Sequence, residues 1–139
     1  MGLTDEIITL RIMLMKVCDG FSIKDSSKNS MLSNRIKILH ILDDKDCTPE
    51  QLIDYLCMAK SNLANLLKSM IKDNVVLGYK NLDNSKNMYY RITEQGKEEL
   101  NKYKITMLGQ FRSKCRGSEE QLSKNMEEII NILKAGNDD

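Results

Sequence analysis

With 139 residues, 41% of them hydrophobic and 29% charged, the chain suits one compact domain with helical extensions and is too apolar to be disordered. A net charge of +1 excludes bulk electrostatic attraction to nucleic acid, so any grip on phosphate must come from where individual Lys and Arg residues stand. The early apolar run from Ile12 to Cys18 is interrupted by Lys16 and is too short to span a bilayer, and acidic Asp5 and Glu6 precede it where a signal peptide would be basic. A cytoplasmic location without a membrane partner is expected.

Residues that carry chemistry are sparse. Cys18, Cys47, Cys57 and Cys115 show no C-x-x-C spacing and read as reduced thiols. His40 is the single histidine, so no metal site is expected. There is no phosphate loop and no pairing of a nucleophile with histidine, so neither a cofactor nor an enzymatic activity is expected.

Along the chain, Thr4 followed by Asp5 and Glu6 predicts a helix start, and Ile7, Leu10, Leu14, Val17 and Phe21 continue at helical spacing. Ile8, Ile12 and Met15 widen that stripe enough to face both its own domain and a second subunit. Ser22 to Ser30 is polar and aperiodic, a loop. A helix is predicted from Met31 to Leu42, ended by Asp43-Asp44-Lys45-Asp46, with Cys47 placed to add one strand residue beside a later hairpin. Thr48-Pro49-Glu50-Gln51 is a capping box with proline at the first helical position. The short helix it opens stops near Cys57-Met58, and a second follows at once, burying Leu63, Leu66, Leu67, Met70 and Ile71. Asn74 suits a left-handed helix end. Val75 to Lys80 and Met88 to Ile92 read as strands, joined by the turn residues Leu82 to Asn87. Thr93 caps a long helix through Leu100, Tyr103, Met107, Leu108 and Phe111, with Gly109 a point of bending and Gly117 its end. Ser118 to Gln121 opens a last helix carrying Leu122, Met126, Ile129, Ile130 and Leu133.

Two short helices joined by a tight turn and followed by a hairpin make a winged helix-turn-helix, which offers its second helix to the DNA major groove. The terminal helices are more apolar than so small a head needs, and burial in a homodimer accounts for them. The expected fold is mainly α with a small β-hairpin: a single domain over 1–139, with a winged-helix DNA-binding part at 31–100 and dimerisation helices at 4–21 and 100–135.

The stretch from about Met31 to Leu100 resembles the MarR family of winged-helix transcription regulators. The resemblance rests on Gln51 to Leu56, Ser61-Asn62-Leu63, Met70 to Val76, and Ile92-Thr93-Glu94-Gln95-Gly96, which is similar to the family's Leu-Thr-x-x-Gly signature after the wing. It implies a homodimer on a pseudo-palindromic double-stranded DNA operator, usually repressing transcription and released by a small-molecule ligand or an oxidant. The family's wing commonly carries Asp-x-Arg where this chain has Asn84 and Lys86, and lysine meets phosphate without the planar fork of arginine. Asn74 stands where glycine is usual. Ala59 occupies the usual cap position of the recognition helix, with Ser61 the alternative cap. Asn34 to Leu39 also resembles a helix of ArsR-type regulators, but the long helix after the wing favours MarR.

On this reading the second helix presents Lys60, Ser61, Asn62, Asn65 and Lys68 to DNA. Asn62 or Asn65 suits adenine, while Ser61 and the lysines suit phosphate. Lys86 at the wing tip, with Lys80 and Arg91 on the strands, suits the flanking minor groove or backbone. For each, a solvated surface residue is the alternative. Tyr89 and Tyr90 read as strand residues, one packed and one half-exposed. Cys18 on the first helix is the candidate redox residue that the resemblance implies, against an inert buried thiol. A winged helix used as a protein-interaction module, without a specific DNA target, is the reading from a different class; the near-neutral charge and the absent wing arginine favour it.

Overall fold

The structure, a computed structural model, describes residues 2–19, 33–81 and 84–137, with backbone only at residues 19 and 84–86. Its elements are α1 (Leu3–Asp19), α2 (Asn34–Asp44), α3 (Pro49–Leu56), α4 (Lys60–Lys72), β1 (Val76–Asn81), β2 (Asn84–Ile92), α5 (Glu94–Cys115) and α6 (Glu119–Asn137). Residues Met1–Ile105 and Thr106–Asp139 form two compact units.

The first unit is built on a core of Ile38, Leu39 and Leu42 from α2, Leu52 from α3, Leu63, Leu67 and Met70 from α4, and Leu100 from α5, closed by Cys47, Val75, Val76 and Ile92. Each large side chain removed from water there stabilises the fold by about 1.5–3 kcal/mol. The α4 positions Leu63, Leu67 and Met70 recur every three or four residues, which makes one buried stripe and leaves the rest of the helix outside.

Local caps set the boundaries. Ser33 caps α2, its hydroxyl accepting from the Ile36 N–H at 3.4 Å, so the helix starts later than the predicted Met31, which lies outside the described residues. Asp43 and Asp44, expected to end α2, are its last residues; the Lys45 N–H closes it on the Ile41 carbonyl. Helix α1 begins at Leu3, so Thr4 lies within it rather than capping it. Gly2 takes that place, its carbonyl accepting from Glu6 N–H and its own N–H donating to Asp5. The predicted last residues of that helix, Gly20 and Phe21, and the loop at 22–30 fall outside the described residues. On α1, Leu14, Val17 and Cys18 are half-buried while Ile7, Ile8, Ile12, Met13 and Met15 are exposed.

The Thr48 capping box is present in both directions: Thr48 N–H donates to Gln51 Oε1 at 2.9 Å and Gln51 N–H to Thr48 Oγ1 at 3.3 Å. Helix α3 ends in a left-handed turn at Cys57, φ 52°, whose N–H reaches the Ile53 carbonyl at 2.8 Å. A side chain is strained in that region, and Cys57 is exposed and makes only a long contact to the Asp54 carbonyl. Cys57→Gly is therefore expected to raise unfolding stability by up to about 1 kcal/mol despite the added backbone freedom of glycine, read as a higher urea midpoint. Asn74 takes the left-handed position expected of it, φ 61°.

β1 and β2 pair antiparallel, with Val76 opposite Ile92, Tyr79 opposite Tyr89 and Lys80 opposite Met88. β2 begins at Asn84, so residues 84–87, assigned by composition to the turn, belong to the strand, and pairing resumes through a register shift after Lys80. Ladder pairing overrides turn propensity there. Cys47 does join the hairpin: its N–H donates to Tyr90 O at 3.2 Å and its carbonyl accepts from Tyr90 N–H at 2.8 Å.

The start of α5 lies against the end of α4. Thr93 Oγ1 donates to the Asn74 carbonyl at 2.7 Å and accepts from the Gly96 N–H at 3.0 Å, which caps α5 as expected. The Thr93 N–H donates to the Val75 carbonyl at 3.1 Å. Gln95 donates to the Asp73 carbonyl and accepts from Asn74.

In the second unit, α5 ends through Arg116 and Gly117, both at positive φ (44° and 93°). Arg112 spans that turn, holding Glu119 through Nε at 2.9 Å and Nη2 at 3.2 Å. Gln121, expected to return a capping-box bond, instead donates to Asn125 at 2.8 Å. Leu122 and Met126 are half-buried on α6, whereas Ile129, Ile130, Ile132 and Leu133 are exposed.

Candidate nucleic-acid interface

Helix α4 starts without a side-chain cap. Ala59 holds the extended cap position and has no acceptor to offer, while Ser61 lies inside the first turn and does not serve as the alternative. A serine at that depth cannot reach back to the orphan N–H groups ahead of it. The first turn thus presents positive dipole and N–H donors without a side-chain acceptor, which suits an anion.

Opposite the buried stripe, Ser61, Asn65, Lys68 and Lys72 recur at four-, three- and four-residue steps, so they share one exposed face. Asn62 and Ser69 flank it on one side, and Lys60 stands exposed at the open end. The helix carries Lys60, Lys68 and Lys72 and no carboxylate. The chain's near-zero net charge therefore conceals a locally cationic helix. Sequence reading passed over Lys72, although its position one turn beyond Lys68 was a sufficient signal.

The hairpin separates two of the residues that sequence reading grouped. Leu77, Tyr79, Tyr89 and Arg91 line one face, while Val76, Gly78, Lys80, Met88, Tyr90 and Ile92 line the other. Lys80 and Arg91 therefore point to opposite sides, Lys80 exposed beyond the edge of the core. The side chain of Lys86 lies outside the described residues. Arg91 is engaged by Asp46, with Nη2 at 2.9 Å and Nε at 3.0 Å from Oδ2, and its guanidinium stands 5.0 Å from the Tyr79 ring centre. The Tyr79 hydroxyl donates to the same carboxylate oxygen at 2.5 Å. Burial pushes the Asp46 carboxyl upward, but the bonds from Arg91 and Tyr79 outweigh it and hold the group below the usual carboxylate range. The same bond to Asp46, aided by burial, pushes the Tyr79 phenol up.

The far end of α4 is held by Arg35 of α2. Its Nε and Nη2 donate to the two carboxylate oxygens of Glu99 on α5 at 2.7 and 2.9 Å, and Nη1 donates to Asp73, just past α4, at 2.7 Å. The Glu99 bonds, more than the opposing burial, leave the guanidinium even more firmly protonated than usual. Asp73, the carboxylate nearest the lysine-bearing face in sequence, thus shares the Arg35 cation with Glu99. Helical periodicity places Arg35 on its helix but names no partner for it.

Other chemistry is thin. Burial pushes the Cys47 thiol up, which makes it inert; Cys18 is half-buried on α1 and Cys57 exposed. Among the described residues no group of His, Cys, Asp and Glu is placed to hold a metal ion. An open cleft of about 350 Å³ beside α5 is lined by Asp43, Glu94, Lys97, Glu98 and Lys104 with only Leu100 apolar, unlike a small-molecule pocket. No helix among the described residues is long and apolar enough to cross a membrane.

The described architecture is a winged helix-turn-helix accompanied by further helices. Solved structures share it over nearly their full length. A transcriptional regulator, PA4135, is 18% identical with a TM-score of 0.72, over 96% of this chain and 97% of its own. Wild-type MarR from E. coli, in its apo form, is 13% identical with a TM-score of 0.70 over 96% of each chain. The transcriptional regulator Tm0710 from Thermotoga maritima is 15% identical with a TM-score of 0.68 over 99% of each. No family model matches the sequence, and no curated protein matches it. The chain has the winged-helix fold of the MarR-type regulators.

Proposed function

We propose that this chain is a homodimeric, sequence-specific double-stranded-DNA-binding regulator of transcription that acts as a repressor. The observation that carries the reading is the exposed face of α4, which combines Ser61, Asn65, Lys68 and Lys72 with an uncapped first turn and no carboxylate. Lysines and free N–H groups fix the backbone of a duplex, and Asn62 and Asn65 are the side chains suited to reading adenine. Similarity to MarR, which bears the name Multiple Antibiotic Resistance Repressor, supports both DNA binding and repression. The exposed apolar residues Ile7, Ile8 and Ile12 on α1, and Ile130, Ile132 and Leu133 on α6, are surface that a second copy would cover. Release by a small ligand or an oxidant, with Cys18 the thiol concerned, completes the reading.

The test is binding of purified protein to its own upstream DNA against random duplex over a range of salt. Lys60, Lys68 and Lys72 changed together to Ala should lower the slope of log affinity against log salt by about 0.9 for each phosphate that the variant no longer neutralises. Asn65→Ala should instead relax preference at particular bases by about 1–3 kcal/mol. A wild-type protein with no preference for any duplex would overturn the proposal.

A further inference from the structure

We propose that Asp46, Tyr79 and Arg91 form an anchor that fixes the hairpin to the helix-turn-helix, making Arg91 a positioning residue for DNA binding rather than a DNA contact. This role rests on the DNA-binding reading above.

One carboxylate oxygen of Asp46 receives three donors: Arg91 Nη2 at 2.9 Å, Arg91 Nε at 3.0 Å and the Tyr79 hydroxyl at 2.5 Å. The Tyr79 ring has the guanidinium 5.0 Å from its centre and is stacked with Tyr89, centroids 5.8 Å apart and planes inclined by 24°. Tyr79 belongs to β1 and Arg91 to β2, so Asp46 ties both strands of the hairpin to the segment that precedes α3. The neighbouring residue, Cys47, is paired with Tyr90 through backbone bonds alone. Val76 and Ile92 seat the base of the hairpin in the core; side-chain ties from both strands on the opposite face add a second attachment there. The chemistry also argues against a DNA contact. Arg91 is 57% exposed, but Nε and Nη2, the two N–H groups that would fork onto a phosphate, are both spent on Asp46, whose side chain is only 25% exposed; freeing them would strand that carboxylate beside a second anion.

The sign of one substitution separates the two roles. Asp46→Asn removes a negative charge, which by electrostatics alone tightens binding to any duplex. An anchor predicts the reverse. In the full chain, with labelled random-sequence duplex and matched folded fraction by circular dichroism, Asp46→Asn and Arg91→Gln should each weaken binding about tenfold. The salt slope should stay unchanged, and the double variant should be no weaker than either single one. Arg91→Lys, which keeps charge but loses the fork, should behave like Arg91→Gln, and the milder Tyr79→Phe should shift binding in the same direction by less. Binding retained or tightened in Asp46→Asn, with a slope lower by about 0.9 in Arg91→Gln, would make Arg91 a phosphate contact and overturn the anchor.

Hydrogen exchange without DNA supplies an independent readout. Amides of 76–81 and 84–92 should exchange faster in Asp46→Asn and Arg91→Gln while those of α2 and α4 do not. Unchanged exchange in the hairpin overturns the anchor. Faster exchange in a protein that binds no duplex at all supports the anchor and overturns the DNA-binding reading instead.

Discussion

Gly96→Ala is expected to be severely destabilising to the first unit. A Cβ at Gly96 would stand 2.2 Å from the Val75 carbonyl oxygen, 3.1 Å from its carbon and 2.8 Å from Ile92 Cγ1. No flexible side-chain end can swing aside from the first two of these, because they are backbone. Nor is the carbonyl free to retreat: it accepts the Thr93 N–H at 3.1 Å, and Thr93 also holds Asn74 and caps α5. Relief requires α5 to withdraw from the end of α4, opening the core beside Val75 and Ile92, at a cost of about 3 kcal/mol or more. Urea unfolding followed by circular dichroism reads this directly. The control is the same substitution at Gly109, inside α5 with nothing within 4 Å of the added atom. There alanine should stabilise by about 0.5–1 kcal/mol, because glycine carries excess backbone entropy in a helix. Opposite signs for one chemical change within one helix is the expected result; a Gly96→Ala protein within about 1 kcal/mol of the parent would mean the close approach is not needed.

Arg35→Ala is expected to cost about 2 kcal/mol, the next largest loss. The Arg35 side chain is 18% exposed, while Glu99 and Asp73 are 35% and 48% exposed, so water partly recovers the stranded carboxylates and the full cost of breaking a buried pair does not apply. Arg35→Lys should recover less than half, since an ammonium cannot reproduce the paired bonds to Glu99 and the third to Asp73 at once. A double-mutant cycle with Glu99→Gln should show coupling above about 0.5 kcal/mol; additive losses would reduce Arg35 to a packing residue. Arg35→Ala also leaves the Asp73 carboxylate without its cation at the end of the lysine-bearing face, so duplex affinity should fall further than stability alone accounts for.

Features written in neighbouring residues were legible in the sequence. The Thr48 capping box, the left-handed Asn74 and the Thr93 cap each depend on contacts or conformations that side-chain type nearly dictates. The buried stripe of α4 followed from its period at Leu63, Leu67 and Met70, whereas Leu66, also expected inside, is half-buried and Ile71 is exposed at the end of the helix. What sequence alone could not supply were pairings across the chain. Arg35 meets Glu99 64 positions away and Asp73 38 away, and Asp46 meets Arg91 across 45. Nothing in local pattern distinguishes an arginine aimed at a carboxylate from one aimed at phosphate, so the Asp46 partner of Arg91 was not legible. The Gly96 signature was visible, but its cause, the Val75 carbonyl, was not. In the hairpin, turn composition at residues 84–87 gave way to strand pairing, a tertiary preference that outweighs local propensity.

Cys47 has a use apart from its place in the hairpin. It is fully buried and its backbone is paired in both directions, whereas Cys57, ten positions on, is exposed. A thiol reagent therefore meets Cys57 in the native molecule but reaches Cys47 only after the linker parts from β2. With the other cysteines replaced, the labelling rate of Cys47 becomes an internal clock for that opening, one reading per molecule and no spectroscopic probe required.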